Sequence, residues 1–288
     1  MAHTADDYYV PHGSYWPILG SIGLTTLLVG FAMYLNQSGV GGYLMLGGVA
    51  ITLVMMFGWF GTVINENQSG IYNAQVDRSF RWGMFWFIVS EVMFFGGFFG
   101  ALFYAREFSV PWLAGEGAKL ATGEYLWKGY EAVWPTNGPK DVGGEFEPME
   151  TWGLPALNTL ILLSSGATLT WAHHALKSGH RGKLIIGLAL TVALGALFLF
   201  FQAMEYREAY THLNLTLGSG IYGSTFFMLT GFHGMHVTIG AIMLLVMLMR
   251  ALKGHFTPDN HFAFEAAAWY WHFVDVVWLL LFIFVYWL

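Results

Sequence analysis

Seven stretches of this chain run for about twenty residues or longer with at most one Asp, Glu, Lys or Arg in each, and that feature narrows the possible folds more than any other. They cover residues 16–35, 43–64, 82–103, 154–176, 184–204, 221–249 and 266–288. At 1.5 Å per residue, a helix of about twenty residues crosses a hydrocarbon core about 30 Å thick. The runs are continuous rather than alternating. Helices, not barrel strands, are therefore the spanning elements, since every backbone N–H and C=O must find a partner inside lipid. The expected fold is an all-α membrane protein with seven transmembrane helices.

Composition agrees. Of 288 residues, 56% are hydrophobic and only 10% charged, where a soluble domain carries about 25% charged residues. The 18% aromatic content and the 36 glycines suit membrane helices, in which Trp and Tyr settle at interfaces and small residues let helices approach. A formal charge of −6 argues against a nucleic-acid partner, which needs clustered Lys and Arg. The absence of cysteine removes disulfides, thiolate metal ligands and a Cys nucleophile.

The organisation follows from where polarity returns. Residues 1–15, with Asp6 and Asp7 and no Lys or Arg, lack the basic start of a signal peptide and read as a short soluble tail. Residues 16–64 form a two-helix unit, 65–79 a connecting loop, and 80–288 a five-helix unit. Within the latter, residues 106–151 hold four basic and eight acidic residues with repeated Gly and Pro, and read as an extramembrane loop with some order of its own. Arg78, Arg81, Lys177, Arg181, Lys183, Arg250 and Lys253 all fall on the side of the N-terminus. The positive-inside rule makes that side cytoplasmic and the C-terminal side the outer one. No internal repeat is evident, so an inverted-repeat transporter gains no support.

Ionisable groups within spans are costly and mark candidate sites. Glu91, within SEVMFF, lies near the middle of the third run. It reads either as a lipid- or proton-linked carboxyl or as half of an interhelical hydrogen bond. Gly96 and Gly100 beyond it make a GxxxG pair able to seat another helix. His233 and His236, at i and i+3, share a face of the sixth span. A metal site would need further ligands; an interhelical hydrogen bond is the alternative. His173 and His174 close the fourth span, where imidazole suits the negative end of a helix. Glu265, His272 and Asp275 fall on one helical face and are expected to pair with one another or with a neighbouring helix. Arg250 and Lys253 end the sixth span, where they either hold lipid phosphates or set topology.

Larger motifs are more specific. YGSTFFMLTGFHGMHVTIG at 222–240, EAAAWYWHFVDVVW at 265–278, NTLILLSSGATLTWAHH at 158–174, QAMEY at 202–206 and SEVMFF at 90–95 together resemble cytochrome c oxidase subunit III, across all seven spans. The resemblance implies that helices 1–2 and 3–7 form two arms of a V-shaped cleft filled with phospholipid. It implies a proton-translocating oxidoreductase in which this chain has no cofactor of its own: haem a and copper reside in the partner subunits I and II, and cytochrome c is the substrate of the complex. Here the subunit stabilises subunit I, binds phospholipid and supports proton uptake. By the same resemblance Glu91 matches the family's carbodiimide-reactive carboxyl. Trp59 and Glu66 match residues of the second helix and its end that face the lipid cleft, Arg81 matches a basic residue before the third helix and is counted with them as lipid-binding, and Arg250 and Lys253 match residues near lipid headgroups. No catalytic or metal-binding residue is implied. One departure stands out: where the family has G-x-H-T, residues 70–75 read GIYNAQ, with Tyr72 near the histidine position. The long loop at 106–151 favours a bacterial source, hence a bacterial inner membrane with a periplasmic C-terminus. Quinol oxidase subunits lack the first two spans, which this chain has. Membrane desaturases need several histidine boxes, whereas here only HH at 173 and HxxH at 233 occur.

Overall fold

The computed structural model describes residues 9–10 and 12–288; Asp6, Asp7 and most of the expected tail lie outside the described residues. Among the described residues all regular structure is helical. In order come α1 (Trp16–Leu35), α2 (Gly41–Gln68), α3 (Ala74–Tyr104), a short α4 (Val110–Leu113), α5 (Leu154–Lys177), α6 (Arg181–Thr211), α7 (Gly220–Lys253) and α8 (Phe262–Leu281). A π-helical turn, Phe282–Trp287, extends α8.

Among the described residues six helices are long and apolar enough to cross a membrane, against the seven expected. The one that falls short is α5. At 24 residues its length suffices, and it is polarity that sets it apart. That polarity is used inside the bundle. Ser165 accepts from Trp271 Nε1 and Thr159 from Trp278 Nε1, each at 2.9 Å, and the Thr168 and Thr191 hydroxyls meet at 2.8 Å. Asn158, fully buried, reaches the Phe198 carbonyl at 3.5 Å.

Most helices outrun their apolar stretches, because a helix keeps its backbone paired beyond the hydrocarbon wherever a cap is available. The clearest correction is the connecting loop, expected at 65–79. Only residues 69–73 are non-helical there, because the Asn73 side chain accepts from the N–H groups of Gln75 (3.1 Å) and Val76 (3.0 Å) and starts α3 early. The loop expected from residue 106 likewise stays helical to Leu113 through a π turn, Ala105–Ser109, and α4.

The chain divides into two compact units, Met1–Trp82 and Gly83–Leu288, with the division inside α3. In the first, α1 and α2 form an antiparallel hairpin whose backbones touch. A Cβ on Gly30 would lie 2.3 Å from Met45 N, and one on Gly48 2.3 Å from Leu27 N, so only glycine fits. Trp16 Nε1 donates to Thr62 across the hairpin at 3.1 Å. By contrast, a Cβ on Gly96 or Gly100 would meet nothing within 4 Å. Among the described residues of its own unit, the GxxxG pair of α3 seats no other helix.

In the second unit α5 to α8 pack as a bundle around α8, whose Trp271 and Trp278 are fully buried with Phe198 of α6. The rest of α3 joins through Phe95, which lies edge-on to His236 at 4.9 Å, and through Phe87, stacked on Tyr270 at 6.1 Å. The segment between α4 and α5 folds back onto the α6–α7 turn. Glu147 N–H donates to Leu213 at 2.9 Å, the Asn214 side chain donates to Glu145 at 2.7 Å, and Phe146 stacks on Tyr222 at 5.4 Å. Thr151 donates its hydroxyl proton to the Tyr286 carbonyl. At the opposite end the Arg181 guanidinium caps α7, donating to the carbonyls of Ala251 (3.2 Å) and Leu252 (2.6 Å). Gly254 turns the chain there at φ 77°.

Candidate functional site

Glu91 of α3 and His236 of α7 meet at 2.8 Å between Oε2 and Nε2. His236 Nδ1 lies 2.6 Å from the Phe232 carbonyl oxygen, which can only accept, so Nδ1 carries a proton. Two states remain for Nε2. It accepts from a carboxylic acid, or, as imidazolium, it donates to a carboxylate. Both hold one proton between the two side chains and sum to zero charge, which is how a pair of this kind is tolerated away from water. Phe94 and Phe95 flank the imidazole, and Tyr270 stacks on it at 6.3 Å. Glu91 retains 19% side-chain exposure, so the pair sits at the rim of its unit rather than in its centre. The interhelical bond offered as one alternative for Glu91 is therefore made.

The other intramembrane polar residues divide among separate partners. His233, on the same face as His236, instead donates Nε2–H to the Val274 carbonyl of α8 at 3.2 Å, between the rings of Phe198 and Trp278. Glu265, His272 and Asp275 do share a face of α8, but they pair in two groups. His272 Nδ1 lies 3.4 Å from Asp275, and Glu265 lies 3.3 Å from His261 and 3.6 Å from His173 at the end of α5.

The residues assigned to lipid have mixed surroundings. In the first unit Trp59 is exposed on α2, Arg81 pairs with Asp77 at 2.8 Å, and Glu66 accepts from the Tyr72 hydroxyl at 2.6 Å. Tyr72, the residue that departs from the expected G-x-H-T pattern, thus has a hydrogen bond of its own. Burial, and then the bond to the Glu66 carboxylate, pushes the Tyr72 phenol above its ordinary pKa. In the second unit Lys253 is exposed but Arg250 is buried, its guanidinium 4.7 Å from the Phe256 ring. Arg250 does not reach the surface as its place near a helix end suggested.

Sequence reasoning missed one buried cluster. Glu205 of α6, with no exposed surface, accepts from Tyr286 OH at 2.5 Å, and Gln202 lies one turn before it. The spacing QxxE inside an apolar run was the available signal. Glu205 lay one residue beyond the expected span at 184–204, and so escaped the search for intramembrane charge.

A family model described as cytochrome c oxidase subunit III matches residues 6–116 and 128–288. Curated proteins named cytochrome c oxidase subunit 3 from Formosania lacustris, Hippopotamus amphibius and Cyprinus carpio are 42%, 40% and 41% identical over 288 residues, covering 100% of this chain and 99% of each relative. The unmatched residues 117–127 fall in the loop between α4 and α5, where the single turns Gly117–Lys119 and Thr122–Leu126 lie. The loop's extra length is therefore local. These full-length relatives come from animals and lend the expected bacterial type no support.

Proposed function

The chain belongs to the cytochrome c oxidase subunit III family, and from that premise we propose that it serves the oxidase without carrying an electron itself. In this reading it steadies catalytic subunit I, holds phospholipid and supports proton uptake while the complex reduces dioxygen to water and pumps protons. The observation that carries it is where the two mid-span imidazoles direct their nitrogens. His233 gives Nε2–H to Val274 and His236 faces Glu91, so they do not converge on a common centre, and no cysteine exists to supply a thiolate. Haem and copper centres are built on such converging imidazole or thiolate ligands. As the family resemblance implies, haem a and copper are assigned to subunits I and II, with cytochrome c as the electron donor to the complex.

The Glu91–His236 pair supports the proton-linked part, since one proton has two resting places at the rim of the bundle. For lipid, the first unit offers the exposed Trp59 with Glu66 and Arg81, and the second, separately, offers the exposed Lys253 with the buried Arg250 beside Phe256. We read α5 as a seventh span: 24 residues make about 36 Å of helix, enough for the hydrocarbon core, and its polar groups are used within the bundle. The basic helix ends put the N-terminal side at the inner face.

Removing the subunit from purified oxidase tests the reading. The haem spectrum should stay intact, while turnover falls at alkaline pH and activity is lost progressively during catalysis. A shifted or missing haem band, or undiminished turnover and durability, would overturn it.

A further inference from the structure

Beyond α4 the chain closes into a small knob that the proposed function does not use. At Gly115 the backbone turns in the left-handed region, φ 92°, and Gly123 returns to the same place, where a Cβ would collide with the Ala114 carbonyl oxygen. The turns Gly117–Lys119 and Thr122–Leu126 both pack against α4. The backbone is thus tightly closed, yet the large apolar side chains point outward: Leu120, Tyr125 and Leu126 are 72%, 77% and 69% exposed. An apolar patch held open on a folded segment marks a contact surface.

The place of the knob says what it contacts. α3 belongs to a helical stretch, long and apolar enough to cross a membrane, that runs on to Lys119. Its apolar run ends at Phe103, and Arg106 follows. From Arg106 to Leu113 the helix climbs at most about 10 Å, and Thr122–Leu126 packs beside its last turn. The headgroup zone on each side of the hydrocarbon is about 5–8 Å deep, so the knob stands at its outer edge. An aromatic ladder links the two levels. Phe103 meets Phe108 at 5.9 Å and Phe108 meets Trp112 at 5.7 Å, and all three rings are exposed, as aromatic side chains are at a membrane boundary.

Charge and the family comparison narrow the occupant. Glu116 and Glu124 are offset by Lys119 and Lys128, so no net field draws in an anionic headgroup, and apolar burial is the attraction. A protein partner that the whole family shares would not be seated on residues 117–127, which the family model leaves unmatched. We propose that residues 117–127 are an interfacial anchor, with Leu120, Tyr125 and Leu126 seated among the headgroups and upper acyl chains of zwitterionic phospholipid where α3 leaves the membrane. The anchor holds the end of α3 at a fixed depth. It is separate from the lipid contacts proposed above and rests only on α3 crossing the membrane.

The probe is a nitroxide label on Leu120→Cys, Tyr125→Cys or Leu126→Cys, in the intact complex reconstituted into phosphatidylcholine vesicles, with the signal of the unsubstituted complex subtracted. Collisions with oxygen, which concentrates in lipid, should exceed those with a water-soluble nickel chelate several-fold at all three positions. At Glu124→Cys, an exposed neighbour, the nickel chelate should dominate. Added salt or anionic lipid should change neither result. Should a variant fail to assemble, the native complex decides alone: a phosphatidylcholine with a photoactivated diazirine just below its glycerol should crosslink to residues 117–127. Nickel collisions dominating at 120, 125 and 126 would leave the knob in water. Few collisions with either reagent would put it against another protein chain. Either outcome overturns the proposal, as does a native complex without crosslinks in 117–127.

Discussion

Removing one member of the Glu91–His236 pair should do more harm than removing both. With Glu91→Leu alone, His236 Nε2 loses its partner away from water, and His236→Leu strands the carboxyl. An unsatisfied buried group of this kind costs about 1–3 kcal/mol, and the double replacement should recover much of it. Thermal unfolding of the four complexes measures the coupling; strictly additive losses would mean that the pair is not one unit. Each residue was legible in the sequence as a polar group inside an apolar run. Their pairing was not, because 145 residues separate them and spacing along one helix says nothing about which neighbour faces it. His233 makes the same point, since it shares a face with His236 yet turns to a different helix. Tyr72 is the residue-scale case for pH. Its phenol is raised above the ordinary value of 10.0, so the stability from its bond to Glu66 is complete below pH 10 and declines as pH rises toward the higher folded value. Unfolding of native and Tyr72→Phe proteins should therefore differ at neutral pH and converge on the alkaline side.

At the scale of the helices, apolar length located the elements and capping chemistry set their limits. The bounds of α1 were readable because its apolar run begins beside Pro17, which suits a first helical turn, and ends where polar residues begin. The start of α3 was missed because Asn73 caps it outside the apolar run. Close approach was misjudged in a similar way: GxxxG spacing drew notice to Gly96 and Gly100, while the glycines in backbone contact are Gly30 and Gly48, one on each helix of the hairpin. Which glycine faces a neighbour depends on the partner helix, and one sequence does not reveal it. Gly48→Val should therefore force α1 and α2 apart at about 1–3 kcal/mol, whereas Gly47→Val, whose Cβ meets nothing within 4 Å, should leave the hairpin in place. Limited proteolysis at residues 36–40 reads the difference. Equal susceptibility of the two variants would refute the backbone contact.

For the whole molecule the testable statement is topology. Cysteine placed at the exposed Ala118, in a chain with no cysteine of its own, should react with an impermeant reagent from the outer side and not from the inner. Labelling from the inner side alone would invert the arrangement. The basic residues that support this orientation also have local roles, as Arg181 shows in capping α7, so a charge count along the sequence captured their sum and not what each one holds. Tyr286 likewise serves twice, since its hydroxyl satisfies Glu205 and its carbonyl receives Thr151. On a growing chain that arrangement becomes a matter of timing. Glu205 leaves the ribosome 81 residues before Tyr286, so α6 must enter the membrane while its buried carboxyl still lacks its donor. Until the last turn of α8 arrives, the half-made bundle carries an unanswered acid and an unfastened loop, and both are answered by a single residue.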